Sequence, residues 1–211
     1  MPTLLDALKN GADSDDILRW INEHPDEINK CDESGVFPLY LAAAYGREDI
    51  VERLLYAGAN KEQVISTGAT PLFVATSYGH SEVVQALLAA GVDATFTGFD
   101  DAQTPLFIAV ENGDLETVQA LLAVGAEESA VFDGTLLYLA VSNRDLRVVQ
   151  VLLAAGADRV DGVASLCLAV INGYLRIVEA LLAAGTDRDA GADGVRPLCL
   201  AAKNGYLDIK T

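Results

Sequence analysis

The chain has few side chains of the kinds that catalyse reactions or bind metals. Its 211 residues include two histidines, His24 and His80, and three cysteines, Cys31, Cys167 and Cys199. Neither histidine has a serine or cysteine partner in a recognisable nucleophile motif. The odd number of cysteines, without Cys-x-x-Cys spacing, argues against a disulfide framework or a zinc site and fits a reducing compartment.

The acidic motifs do not form a site either. Asp13-Ser14-Asp15-Asp16 begins like a calcium loop, but Leu18 and His24 stand where such a loop needs Gly and Glu. The sequence has no P-loop and no Gly-x-Gly-x-x-Gly motif. Adjacent carboxylates such as Asp100-Asp101 and Glu127-Glu128 rarely face each other across a substrate. We therefore expect no enzymatic activity, no metal and no cofactor.

The charge of the chain narrows the class of partner. The 14 basic and 31 acidic residues give a net charge of -17, which disfavours nucleic acid and anionic membranes and favours a basic partner. The region between Lys61 and Arg144 has eleven acidic residues and no Lys or Arg. Because the N-terminus lacks signal-peptide features and polar residues interrupt the uncharged stretch 63–81, we expect a cytoplasmic protein without a membrane span.

The elements that would position any site come from a repeated segment. Its clearest copy is GATPLFVATSYGHSEVVQALLAAGV, from Gly68 to Val92. Thr-Pro opens a short apolar helix, a Gly closes it, and a second amphipathic helix follows. Five further copies begin at Gly35, Ala102, Asp133, Gly162 and Gly194. A fixed period near 33 residues indicates a solenoid of stacked units.

These residues resemble the ankyrin repeat, in which Gly-x-Thr-Pro-Leu-His-x-Ala precedes the turn between the two helices. The resemblance implies an all-α repeat fold: an ankyrin-repeat solenoid of stacked antiparallel helix pairs with β-hairpin fingers. It also implies a non-catalytic role in binding other proteins. One departure is general, because the family's His is missing from every repeat. Apolar plugs are expected in its place, with both cysteines buried, at Tyr40, Phe73, Phe107, Tyr138, Cys167 and Cys199.

We predict a single ankyrin-repeat domain over residues 1–211. An N-terminal capping repeat covers 1–29 and an incomplete last repeat covers 189–211. Five repeats lie between them, at 30–62, 63–95, 96–127, 128–156 and 157–188. Because the last repeat lacks a second helix, we hypothesise that the chain continues in a longer protein or that another subunit covers this end.

Local departures from the repeat lead to further expectations. Thr70 and Thr104 should cap their helices, whereas Phe37, Ala164 and Arg196 replace this Thr and lose the cap. Arg144 replaces the helix-ending Gly, so the neighbouring Asn143 is expected to take the left-handed conformation. Residues 159–162 are too few for a hairpin and predict a tight turn.

The resemblance places the binding surface on the finger tips and on the exposed end of each first helix, which together form the concave face. We expect a basic, partly apolar protein segment to bind there, without nucleic acid or membrane. As a second possibility, the array regulates or targets a larger enzyme, channel or secreted effector; as a third, it is a spacer. The candidate binding residues are Tyr45, Tyr78, Phe96, Phe99, Asp100, Asp101, Glu111, Asn112, Phe132 and Asp133.

Overall fold

The computed structural model describes residues 3–96, 103–126, 135–187 and 196–203, and these residues form helices and turns without a β-strand. The chain divides into two compact units, residues 1–126 and 127–211. The first unit contains a 3-10 turn at Pro25–Glu27 and the helices α1 (Leu4–Lys9), α2 (Ser14–Glu23), α3 (Pro38–Ala44), α4 (Glu48–Tyr56), α5 (Pro71–Ser77), α6 (Ser81–Ala89), α7 (Pro105–Asn112) and α8 (Leu115–Ala123). The second contains α9 (Thr135–Ser142), α10 (Leu146–Ala154), α11 (Asp158–Ile171), α12 (Leu175–Ala183) and α13 (Pro197–Lys203).

The first unit is a two-layer stack of helix pairs. Helices α1, α3, α5 and α7 pack side by side in one layer, and α2, α4, α6 and α8 form the other. The layers meet in a core of leucines that are no more than 2% exposed: Leu39, Leu54, Leu72, Leu87, Leu106 and Leu121. This confirms the predicted fold of stacked helix pairs, in which each pair buries its apolar sides against its neighbours.

Helix starts follow the predicted caps where Thr is present. The Thr70 and Thr104 side chains accept hydrogen bonds from the backbone N–H groups of Phe73 and Phe107, each at 3.1 Å. Phe37 occupies the same position before α3 and makes no capping bond, as expected. Its ring is only 1% exposed, so this repeat exchanges a polar cap for a buried aromatic side chain.

Replacing Thr104 by Ala should destabilise the first unit by about 1 kcal/mol, because the first-turn amide loses its acceptor. The midpoint of urea unfolding, followed by circular dichroism, measures this effect. Thr104→Ser is the control, since its hydroxyl can make the same bond. Equal midpoints for the Ala and Ser variants would contradict the capping role.

Helix ends use left-handed residues, with one departure from the prediction. Gly46, Gly79, Gly113 and Gly173 follow first helices with φ between 66° and 71°. In the repeat that lacks this Gly, Arg144 itself adopts φ 58°. The expectation that Asn143 takes the left-handed conformation is therefore wrong. The left-handed conformation stays at the same position of the turn in every one of these repeats. It does not move to Asn143, although Asn adopts this conformation more readily than Arg.

Replacing Arg144 by Gly should stabilise the second unit. An L-residue in this conformation costs about 1–2 kcal/mol, which Gly avoids. The loss of the Arg144 guanidinium from the Tyr174 ring, 5.3 Å from its centroid, offsets about 0.5–1 kcal/mol of that gain at an exposed site. Arg144→Ala is the control because it loses the ring contact and keeps the strain. Urea unfolding should rank Gly above Ala by at least about 1 kcal/mol, and the reverse order would refute the strain.

The connections described in the first unit are closed turns. Residues 32–36 are closed by Asp32 N–H donating to Val36 O at 2.9 Å, and residues 65–69 by Ile65 N–H donating to Ala69 O at 3.1 Å. The two turns meet where Ser66 N–H donates to Ser34 O at 3.4 Å. These fingers are therefore short turns bonded to each other rather than extended strands.

The second unit departs from the prediction at its second repeat. Helices α9, α11 and α13 pack in sequence, and α10 packs on α12. The tight turn expected at 159–162 is wrong, because α11 is one continuous helix from Asp158 to Ile171. Ala164 therefore lies inside a helix and is not a lost cap. Ser165 stands where four of the other repeats have Pro, namely Pro38, Pro71, Pro105 and Pro197. Unlike Pro, Ser165 keeps its backbone N–H, so the helix can continue through this position.

No helix in the described part of the chain is both long enough and apolar enough to span a bilayer.

Candidate functional site

An aromatic row runs across the first unit. The third residues of α3, α5 and α7 are Tyr40, Phe73 and Phe107, and all three side chains are half-buried. Because packed helices lie about 8–10 Å apart, the row places one ring at each step of the stack. The sequence predicts apolar plugs at these positions, but the rings are in part accessible to solvent.

A second set of residues borders the aromatic row at the C-terminal ends of the same helices. Tyr45 and Tyr78 directly follow α3 and α5 and are 52% and 67% exposed. Glu111 and Asn112 end α7 and are also exposed. We call these four residues together with the aromatic row the first-helix face.

Tyr78 connects the two sets. Burial raises the pKa of the Tyr40 phenol above its ordinary value, and Tyr78 of the next repeat adds to the rise. The Tyr40 phenol is therefore neutral near pH 7. Both residues present rings with hydroxyl groups, which suit contacts that are partly apolar and partly hydrogen-bonded.

Hydrogen bonds between repeats fix the ends of these helices. The His80 Nε2 atom lies 3.1 Å from Ala44 O, and Asn112 Nδ2 donates to Thr76 O at 3.2 Å. Each bond reaches back to the C-terminal carbonyls of the preceding first helix, which lack intrahelical partners. Asn112, which is predicted from the sequence to bind a partner, therefore also makes a contact within the chain.

The predicted site residues have different outcomes. Tyr45, Tyr78, Glu111 and Asn112 lie on the first-helix face, and Phe96 is 37% exposed in the connection after α6. The remaining candidates lie outside the described residues: Phe99, Asp100, Asp101, Phe132 and Asp133. Partner binding by any of the ten stays a prediction.

Tyr40, Phe73 and Phe107 are not among the ten predicted binding residues, and the residue type at their position of the repeat changes along the chain. The same helical position holds Tyr138, Cys167 and Cys199 in the second unit. The expectation that both cysteines are buried is wrong, since Cys199 is exposed and Cys167 is half-buried. Burial raises the pKa of the Cys167 thiol. This position of the repeat is thus at most partly covered at Tyr40, Phe73, Phe107, Tyr138, Cys167 and Cys199, which the periodicity of a single helix does not reveal.

Negative charge is concentrated in the first unit. Residues 1–126 contain 20 acidic and 6 basic residues, a net of -14 out of the total of -17. Several of these acids have structural roles: Asp93 accepts from Thr95, Glu62 accepts from Asp93 N–H, and Asp114 caps α8. No group of three or more His, Cys, Asp or Glu side chains within the described ranges is placed to hold a metal ion.

Comparisons with known proteins agree with this architecture. The family model described as ankyrin repeats (3 copies) matches residues 4–98, 96–161 and 137–210. The sequence has no match among curated proteins. The crystal structure of the human ASB11 ankyrin repeat domain is similar, with 25% identity, a TM-score of 0.69, and coverage of 93% of this chain and 90% of that one.

A second similar structure is the ankyrin repeat domain of Bcl-3, described as a unique member of the IkappaB protein family. It has 28% identity and a TM-score of 0.77, and the match covers 95% of this chain and 93% of that one. The repeats, the helix-pair stack and the family match together identify the fold. The chain belongs to the ankyrin repeat family.

Proposed function

We propose that the first unit binds a basic, partly apolar segment of another protein on its first-helix face. Ankyrin repeats are generally protein–protein interaction modules. The observation that carries the proposal is the aromatic row Tyr40, Phe73 and Phe107, left half-exposed beside Tyr45 and Tyr78. A few residues supply most of the binding free energy at protein interfaces, and Tyr and Trp are enriched among them.

Charge determines the kind of segment. A unit with a net charge of -14 attracts lysine- and arginine-containing segments and repels acidic ones. The rings provide the apolar contacts, and the net negative charge of the unit increases the rate of association. Binding should therefore weaken as the salt concentration rises.

Affinity capture from cell lysate with three forms of the chain tests this proposal. One form is the parent, and the second carries Tyr45→Ser and Tyr78→Ser. The third carries Tyr56→Ser and Val124→Ser, which replace side chains that are 84% and 51% exposed on the other helix layer. The parent and the third form should retain the same basic proteins, and the second form should lose them.

Two outcomes would contradict the proposal. The first is equal retention by the parent and the Tyr45/Tyr78 variant. The second is capture that does not change between about 0.05 M and 0.5 M salt, because exposed charge interactions are strongly screened over that range.

A further inference from the structure

We infer that a groove at the end of α5 binds the guanidinium group of an arginine in the partner protein. This inference rests on the proposed function and specifies its chemistry. The open groove of about 510 Å³ lies between the turns of two consecutive repeats. Its lining residues are Ser77, Tyr78, Gly79, Ser81, Asn112 and Asp114.

The side-chain donors of the groove are nearly all occupied within the chain. Ser77 Oγ donates to Phe73 O at 2.8 Å, and Ser81 Oγ donates to Asp114 Oδ2 at 3.1 Å. Asn112 Nδ2 donates to Thr76 O at 3.2 Å. Within the described residues, the Tyr78 hydroxyl is the one lining side-chain donor without such a bond. The first-turn amides of α6 lie nearby, and Glu82 in that turn supplies the negative charge that they favour.

The acceptors of the groove remain available. Asp114 accepts from Thr117 N–H at 3.1 Å, from Thr117 Oγ1 at 2.6 Å and from Ser81 Oγ. A carboxylate has about four lone-pair sites, so one site remains, and Asn112 Oδ1 and the serine oxygens add further acceptors. A ligand that fits must therefore donate several hydrogen bonds and carry positive charge.

Arginine meets these requirements better than lysine. Its guanidinium has five N–H donors and no acceptor, and its planar group stacks on aromatic rings. Tyr78, which is 67% exposed, provides such a ring in the groove that Asp114 also lines. Because the sequence has no Lys or Arg between Lys61 and Arg144, this segment supplies no cation of its own for the groove.

The preceding repeat offers an internal control. Tyr45 is the equivalent of Tyr78, but the residues equivalent to Asn112 and Asp114 are Tyr78 and His80. The His80 ring contacts Ala44 O and provides no carboxylate. Glu48 stands at the Ser81 position and is the one carboxylate among these equivalents. Because the counterparts of both Asn112 and Asp114 are missing, this tyrosine position should bind a guanidinium more weakly than the groove at Tyr78.

Nuclear magnetic resonance titration of the ¹⁵N-labelled chain tests the inference without a known partner. The probes are N-acetylarginine methylamide and the corresponding lysine and citrulline compounds, the last being neutral and nearly the same shape as arginine. The arginine probe should shift the Gly79 and Ser81 amides and the Asn112 side-chain amide. Its affinity should exceed that of the citrulline probe by at least about fivefold, given the loss of charge.

Three variants locate the effect. Asp114→Asn keeps an efficient helix cap and removes the charge, so arginine binding should fall to the citrulline level. Tyr78→Leu should weaken it by about threefold through loss of the ring, and Tyr45→Leu should leave it unchanged. Equal shifts from arginine and citrulline, or an unchanged affinity in Asp114→Asn, would overturn the groove assignment. The lysate experiment would still stand on its own, because it depends on Tyr45 and Tyr78 and not on Asp114.

Discussion

Replacing Phe37 by Ala should destabilise the first unit by about 3–5 kcal/mol, the usual range for a buried phenylalanine. The ring is 1% exposed and lies at the start of α3, where it contacts Tyr40 with ring centroids 6.0 Å apart. Since α3 packs on both α1 and α5, the cavity would affect three consecutive repeats. The measurement is urea unfolding followed by the fluorescence of the single tryptophan, Trp20, which lies in the same unit.

Phe73→Ala is the matched control for this experiment. Phe73 belongs to the aromatic row and is half-buried, so its loss should cost less than half as much stability. Phe37→Ala should mainly reduce stability, whereas Phe73→Ala should stay folded and bind the partner segment less tightly. Equal destabilisation by both would show that the row is part of the core and would count against its role as a binding surface.

Replacing Gly46 by Ala should cost about 2–3 kcal/mol from two separate causes, backbone strain and a lost hydrogen bond. Gly46 has φ 66°, and an added Cβ would lie 2.6–2.9 Å from three atoms of the His80 ring. Moving the ring away from the added Cβ should weaken its contact with Ala44 O, now 3.1 Å away. The effect should appear as a lower midpoint of urea unfolding.

Gly79→Ala separates the two causes. Gly79 has φ 71° and no atom within 4 Å of the added Cβ, so this variant reports the backbone strain alone, about 1 kcal/mol. Adding His80→Ala to Gly46→Ala should remove the steric part, so that the two substitutions together cost less than the sum of each alone. Additive costs would contradict the contact between Gly46 and His80.

Much of the fold can be predicted from the sequence because the pattern of the helix pair recurs in several copies. Thr70-Pro71 predicts the start of α5, and Gly79 its end, from the local preferences of those residues. Local residue preferences do not predict the structure where packing between repeats determines it. Phe37 loses the cap as predicted, but the burial of its ring is not evident from the sequence. Arg144 takes a conformation that suits Asn143 better, because the turn requires it at residue 144.

The candidate site is less predictable for a related reason. The exposure of Tyr45 and Tyr78 could be expected from their place at helix ends. The exposure of Tyr40, Phe73 and Phe107 depends on how much of each first helix its neighbours cover, which a single repeat does not determine. Helix α11 is not predicted as a continuous helix. A short connection without Pro can form helix as readily as a turn, and the sequence alone does not distinguish the two.

The most direct test of the central claim is selection of random 16-residue peptides displayed on phage against the parent chain. Recovered peptides should be enriched in Arg, Lys and apolar residues. They should lose binding to the Tyr45→Ser/Tyr78→Ser variant and keep it with Tyr56→Ser/Val124→Ser. Recovery of acidic peptides, or of basic peptides that bind both variants equally, would contradict a basic partner on the first-helix face.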